Sequence, residues 1–346
     1  MKETYVIGEI GQNHNGSVII AKEIIDRASQ PIIDPLFNRE LKPMNAVKLT
    51  KRDLNEELSA SAMCKPYTSQ HSFGSTYGKH REALELNDEE HYEIYKYTKS
   101  KGLDFVETLC GIGCTSMFKY FEPDRLKVAS RDLTNLPLLN VLAETKIPII
   151  LSTGMGGPKE LDNALEIISK HHNNISILHC LSQYPSDYQN INLLTIPYLQ
   201  KRYPEYTIGY SDHSIGIVIP VAAVTLGADI IEKHITLDRN MRGTDQAGSL
   251  APDGVYRMMR DIRNLEQAFG TEDMFVDDSV KEARVKLERS IASKESLRKG
   301  HVFIQSDLHM LSPGNGIKWI NRNDIIGKTL NIDLPKDEVI YPNMIS

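Results

Sequence analysis

The sequence predicts a (β/α)8 barrel followed by a small, turn-rich second domain, and three observations predict it. Short β-branched runs alternate with longer amphipathic stretches along most of the chain. Eight strand–helix units can be counted, the number a closed parallel barrel needs. The alternation stops near Gly270 and gives way to short apolar runs between turn signals. A length of 346 residues suits a large barrel with an appendage better than one average domain.

In order, the strands are YVIGEI (5–10), AVKLT (46–50), DFVETL (104–109), LKVAS (126–130), PIILST (148–153), ISILHCL (175–181), TIGYS (207–211) and DIIEKHITL (229–237). Helical periodicity follows nearly all of them, as at 159–170, 217–226 and 255–269. A doubly wound sheet is the competing architecture, but no GxGxxG opens a helix after the first strand. Two stretches break the rhythm. SQPIIDPLFNRELKPMN, at 29–45, carries three prolines and reads as an irregular insertion. Residues 51–86 read as a long polar and aromatic loop, and its aromatics favour a lid. The domain reading is a barrel over 1–270, a partly helical linker over 271–289 and a compact tail over 290–346, with turns at 298–300, 313–316 and 335–337.

Hydrophobic residues make up 40% and charged residues 25%, so the chain can bury a core and stay in solution. A formal charge of −6 argues against nucleic acid or an anionic membrane as the main partner. The N-terminus enters a strand at once with no apolar targeting run, and Cys64, Cys110, Cys114 and Cys180 form no CxxC framework, so a cytoplasmic location is expected. The Cys110/Cys114 spacing reads as packing rather than a metal site.

In such barrels chemistry is built at the C-terminal ends of the strands. This chain puts polar groups there repeatedly: Glu9, Lys48, Thr108, Lys127 and Ser130, Ser152 and Thr153, Ser182 and Tyr184, Ser211, Asp212 and His213, then Glu232 and His234. Any one of them can be a satisfied strand-end residue. Eight strands in succession point to a shared polar cavity, because each unpaired buried polar group costs a few kcal/mol, order of magnitude. Lys48 and Lys127, with neutral donors Ser130, Ser152 and Ser211, suit a phosphate plus a carboxylate. The rival use is a Schiff base at Lys127. His213 and His234 end adjacent strands; with Glu9, Asp212 and Glu232 nearby they suit a divalent transition metal.

GEIGQNHNG (8–16), LKVAS (126–130), ILSTGM (150–155), LHCLSQYP (178–185), IGYSDHSIG (208–216) and EKHITLDRNMRGTDQAGSLAPD (232–253) resemble the sialic acid synthase family. The tail, with LSPGNG and DIIGKTL, resembles that family's antifreeze-like (SAF) domain, and the 66–86 segment is similar to the branch with animal N-acylneuraminate-9-phosphate synthases. The resemblance implies a transferase that condenses phosphoenolpyruvate with an amino sugar, and a domain-swapped homodimer. It implies a divalent metal, manganese or else magnesium or cobalt, on His213 and His234. It assigns phosphoenolpyruvate to Lys48, Thr108, Lys127, Ser130, Ser152, Ser182 and Ser211, the sugar to Asp132, Tyr184 and Asp245, and a place beside the reacting centre to Glu9. Some positions depart from the family: Thr50 for a glutamine, Asp132 for a glutamate, Ser182 for an asparagine, and Ser312 for an arginine that reaches the sugar across the dimer. The sugar therefore stays open among N-acetylmannosamine, its 6-phosphate and diacetamido sugars leading to legionaminate or pseudaminate. Synthases of eight- or seven-carbon sugar acids, a Schiff-base aldolase and an idle sugar-binding protein are the alternatives.

Overall fold

Strands covered by helices outside and packed against one another inside are buried on both faces, which is why these runs are almost continuously apolar. The structure, a computed structural model, describes residues 3–346. Its barrel strands are β1 (Tyr5–Gly11), β2 (Ala46–Lys51), β3 (Asp104–Leu109), β4 (Arg125–Val128), β5 (Ile149–Ser152), β6 (Ile175–Cys180), β7 (Thr207–Asp212) and β8 (Ile230–His234). All eight are parallel, each pairs with its neighbours in sequence, and β8 closes on β1. The fold class is the one expected.

One layer of the barrel interior is an apolar floor of Ile7, Ala46, Val106, Ile150, Leu178 and Ile230. Side chains two apart on a strand share a face. The next inward residues are therefore Glu9, Lys48, Thr108, Ser152, Cys180 and Glu232, so one turn of the pleat converts the floor into a polar layer. On β7 the floor position is Gly209, where a Cβ would lie 2.5 Å from both the Ile230 carbonyl oxygen and Leu178 Cδ2. Only glycine fits there.

The outer ring contains helices Val18–Ala28, Asp88–Ser100, Leu136–Glu144, Pro158–Ser169, Thr195–Arg202, Val218–Thr225 and Pro252–Ala268, with a 3-10 segment, Ile112–Lys119, after β3. Their starts are written in the sequence. Ser17 accepts from the Ile20 N–H at 3.3 Å, and Asn87 and Glu90 form a reciprocal capping box. The main core lies between these helices and the barrel's outer face.

Residues 29–45, expected to be irregular, form an antiparallel hairpin of Ile32–Asp34 and Arg39–Leu41. Asp34 Oδ1 caps the turn by accepting from the Leu36 and Phe37 N–H groups at 3.0 and 3.3 Å. The hairpin is fastened to the last barrel helix: the Tyr256 hydroxyl donates to the Ile33 carbonyl at 2.6 Å, and Arg39 donates to Asn264 at 2.8 Å. Residues 51–86 are ordered as well, with short helices Leu54–Glu57, Ala60–Met63 and Tyr77–Glu82. Tyr67, Phe73 and Tyr77 pack around His80 with ring centroids 4.7 to 6.1 Å apart.

The chain divides into two compact units, Met1–Gly270 and Thr271–Ser346. The second contains a helix, Lys281–Leu287, and an antiparallel pair, Ser290–Ser293 with Leu308–Leu311. It has its own core of Ile291, Phe303, Leu308, Ile325, Leu330, Leu334 and Ile340. Among the described residues no helix is long and apolar enough to cross a membrane.

Candidate active site

The polar layer is a network of opposite charges. Lys48 Nζ lies 2.6 Å from Glu9 Oε2 and donates to Thr108 Oγ1 at 2.9 Å. Lys127 Nζ donates to Ser152 Oγ at 2.6 Å and to the Val128 carbonyl at 3.0 Å. Between the two ammonium groups stands Glu232, 3.9 Å from each, accepting from the Ser211 hydroxyl at 2.9 Å. All these side chains are buried.

Burial and partners split the two carboxylates. Loss of water pushes Glu9 above the ordinary carboxylate range, with Glu232 adding to the push and Lys48 opposing it. The same desolvation acts on Glu232, but Lys127, Lys48 and the Ser211 hydroxyl outweigh it and hold that carboxyl below its usual value. Burial lowers the Lys127 ammonium. Lys48 is raised despite burial, because Glu232 and Glu9 face it. One carboxylate is thus a fixed anion and the other a group that can exchange a proton.

Above this layer the His213 and His234 rings come within 5.5 Å of each other, with the Tyr184 ring 4.0 Å from His213. His213 Nδ1 faces the Leu181 carbonyl at 2.8 Å, so it carries the proton and leaves Nε2 as the lone-pair donor. His234 Nδ1 is buried with no hydrogen-bond partner, and burial keeps that imidazole below its ordinary pKa. Two imidazoles, one of them with an orphaned ring nitrogen, fit a divalent ion. No group of three or more His, Cys, Asp or Glu able to hold a metal comes together among the described residues, so the other coordination positions would fall to water or substrate. Asp212, expected beside the histidines as a carboxylate, is engaged elsewhere: Lys233 lies 2.5 Å away, and the Ser214 and Tyr210 hydroxyls donate to it at 3.0 Å.

Of the residues singled out from sequence, Glu9, Lys48, Thr108, Lys127, Ser130, Ser152, Tyr184, Ser211, His213, His234 and Asp245 line one cavity. Ser182 lines an adjoining outer chamber. Asp132 borders neither; its carboxylate turns to Arg131 Nε at 3.4 Å. Sequence reasoning missed Arg52 and Arg131, which line both spaces, and the Cys180 thiol, which lines the inner one. Their signal was available, since each lies at or just past a strand end. It also named Glu232 without its place between the lysines.

The chain matches the NeuB family over residues 42–274 and the SAF domain over 288–346. It is 30% identical to the human N-acetylneuraminate-9-phosphate synthase over 99% of this chain and 92% of that protein. It is 31% identical to the N,N'-diacetyllegionaminic acid synthase of Legionella pneumophila, over 95% of this chain and 91% of the other. Among solved structures, the sialic acid synthetase of Leptospira borgpetersenii, crystallised with citrate, superposes with a TM-score of 0.67 at 29% identity, covering 81% of this chain and 90% of that one. With the barrel, the polar layer and the tail domain all accounted for, the chain belongs to the NeuB family and carries a SAF domain at its C-terminal end.

Proposed function

We propose that the protein is a transferase that condenses phosphoenolpyruvate with an open-chain amino sugar, N-acetylmannosamine or a relative, to form a nine-carbon sialic-acid-type product. The observation that carries this reading is the pairing of two buried ammonium groups, Lys48 and Lys127, with a ring of hydroxyls directly below two imidazoles. The names of the relatives support it, since they are synthases of N-acetylneuraminate 9-phosphate and of N,N'-diacetyllegionaminic acid.

In this reading Lys48, Lys127, Thr108, Ser130, Ser152 and Ser211 hold the phosphate and carboxylate of phosphoenolpyruvate. Tyr184, Asp245 and Asp132 are the assigned sugar-side positions, of which Asp132 acts through Arg131; Ser182, expected on phosphoenolpyruvate, lines the outer chamber and joins the sugar side in this reading. A divalent ion on His213 and His234, manganese first and magnesium or cobalt otherwise, supplies Lewis acidity at the aldehyde oxygen when bound. The C2=C3 π pair of phosphoenolpyruvate forms a bond from C3 to the aldehyde carbon, the aldehyde C=O π bond opens and its oxygen takes up a proton, and C2 is left electron-poor. Water adds at C2 and gives a proton to Glu9, whose raised pKa suits it to exchange one. The C2–O bond then breaks, phosphate leaves, and C2 becomes a ketone. The reading includes a cytoplasmic homodimer in which one subunit's tail covers its partner's barrel mouth.

Phosphate release with manganese, phosphoenolpyruvate and a hexosamine panel, with mass spectrometry of the product, tests this. Failure of every amino sugar, or full activity after chelation, would overturn it. The lowered pKa of Lys127 favours a second reading, a Schiff-base aldolase. Borohydride trapping of a carbonyl substrate on Lys127 would support that one instead.

A further inference from the structure

The outer chamber beside the inner cavity is lined by three guanidinium groups, Arg52, Arg81 and Arg131, with Asp245 as its one carboxylate. Arg52 and Arg131 also border the inner cavity, so the two spaces share these side chains as lining. Neither is free to swing. Glu57, on the short helix Leu54–Glu57, lies behind both: its Oε1 is 2.5 Å from Arg52 Nη1 and 3.5 Å from Arg131 Nη1. Glu57 borders neither chamber, and its second oxygen is buried without a hydrogen-bond partner. Glu85 steadies Arg52 from the other side at 3.4 Å. Arg81 is held by neutral groups alone, donating to Gln12 at 2.7 Å and to the Tyr77 hydroxyl at 2.9 Å. Among the described residues no carboxylate stands within ion-pair distance of Arg81. Arg52 Nε is buried and makes no hydrogen bond, the Glu85 carboxylate being its ion-pair neighbour at 3.4 Å.

Planar, fixed guanidinium forks are the side chains that read phosphate, and three around one chamber exceed what a neutral sugar needs. We infer that this chamber is a specificity site for a phosphate monoester on the sugar substrate, read by Arg52, Arg81 and Arg131, with Glu57 as the positioning residue that aims two of them. The inference rests on the condensation proposed above and narrows its substrate to a sugar phosphate. The inner lysines keep the phosphate of phosphoenolpyruvate, so the reaction carries two phosphoryl groups in two separate places.

The test compares kcat/KM for N-acetylmannosamine, its 6-phosphate and the corresponding uronate, by phosphate release from phosphoenolpyruvate. The expected result is a preference for the 6-phosphate over the neutral sugar of at least about tenfold, with the uronate between them. Arg81→Met lowers the ratio of the two specificity constants about tenfold, and Arg81→Lys restores part of it. Circular dichroism confirms that each variant is folded. Equal use of neutral and phosphorylated sugar, or a ratio unmoved by Arg81→Met, overturns the site while leaving the condensation standing. A preference for the uronate overturns the phosphate assignment. No turnover of any of the three sinks both readings together.

Discussion

The Glu9 carboxylate lies 2.6 Å from the Lys48 ammonium across the β1–β2 seam, where register pairs their Cα atoms. Both are buried, so loss of the Lys48 charge would leave Glu9 without an ion-pair partner, whereas loss of the Glu9 charge would leave Lys48 with Glu232 at 3.9 Å. Glu9→Gln keeps the shape and removes the anion. The expected outcome is a fall in kcat of about 10²- to 10⁴-fold, if Glu9 exchanges the proton of the attacking water. The KM for phosphoenolpyruvate should stay level or drop, because the pocket becomes more positive. A variant that keeps wild-type kcat would remove Glu9 from the chemistry.

Lys127 presents a different balance, because Glu232 depends on it and on Lys48 together. Lys127→Met strands Glu232 with one cation at 3.9 Å, and a broken buried pair costs about 3–5 kcal/mol. The melting temperature should fall by several degrees, and the KM for phosphoenolpyruvate should rise at least tenfold. Lys127→Met with Glu232→Gln should recover most of the stability and none of the activity. Thermal melts of the single and double variants check this.

The imidazole pair predicts metal linkage. Dialysis against a chelator should abolish phosphate release, and manganese should restore it. His213→Ala should weaken manganese binding at least about tenfold by calorimetry, since half of the protein's nitrogen donors are gone. Unchanged affinity would show that the ion, if any, binds elsewhere.

His14 gives the pH prediction. It is almost completely buried, and desolvation holds its imidazole down at about 3, with neighbouring His91 adding to the effect. The unfolded chain then binds the extra proton first as pH falls, so stability is full above about 6.5 and drains away below it. The slope should reach about 1.4 kcal/mol per pH unit below pH 6 from this residue. His14→Gln should flatten that slope in urea titrations between pH 4 and pH 7; an unchanged slope would assign the loss to other groups.

Gly209→Ala tests the floor. Its new methyl would meet the Ile230 carbonyl and Leu178 at 2.5 Å, backbone on one side and a packed side chain on the other. A loss of about 1–3 kcal/mol is expected from overpacking, with a lower melting temperature as the readout.

The barrel was legible because buried parallel strands impose long β-branched runs, and β3 was read with its observed ends. The polar layer was legible for the same reason: charged residues inside apolar runs, such as Lys48 in AVKLT, have few places to go. The hairpin at 29–45 was not legible, since three-residue strands with proline nearby carry no usable period. Asp212 shows another limit. Its position at a strand end is local information, whereas its capture by Lys233 depends on the neighbouring strand. Arg52 and Arg131 stand at or just past strand ends, where the sequence could have offered them, but only the fold brings both to the same carboxylate.

The closing of β8 and the last barrel helix onto β1 has a consequence for how the protein is made. Arg263 donates to the Thr4 carbonyl across 259 residues of sequence and also to Asn45, which receives the Val6 N–H. On the ribosome, β1 emerges well before β8 and must wait for nearly the whole unit before its second edge is covered. Until then an apolar strand stands open to pairing with other nascent chains, which places aggregation risk early in synthesis and makes slow, distant pairing the gate to a finished ring.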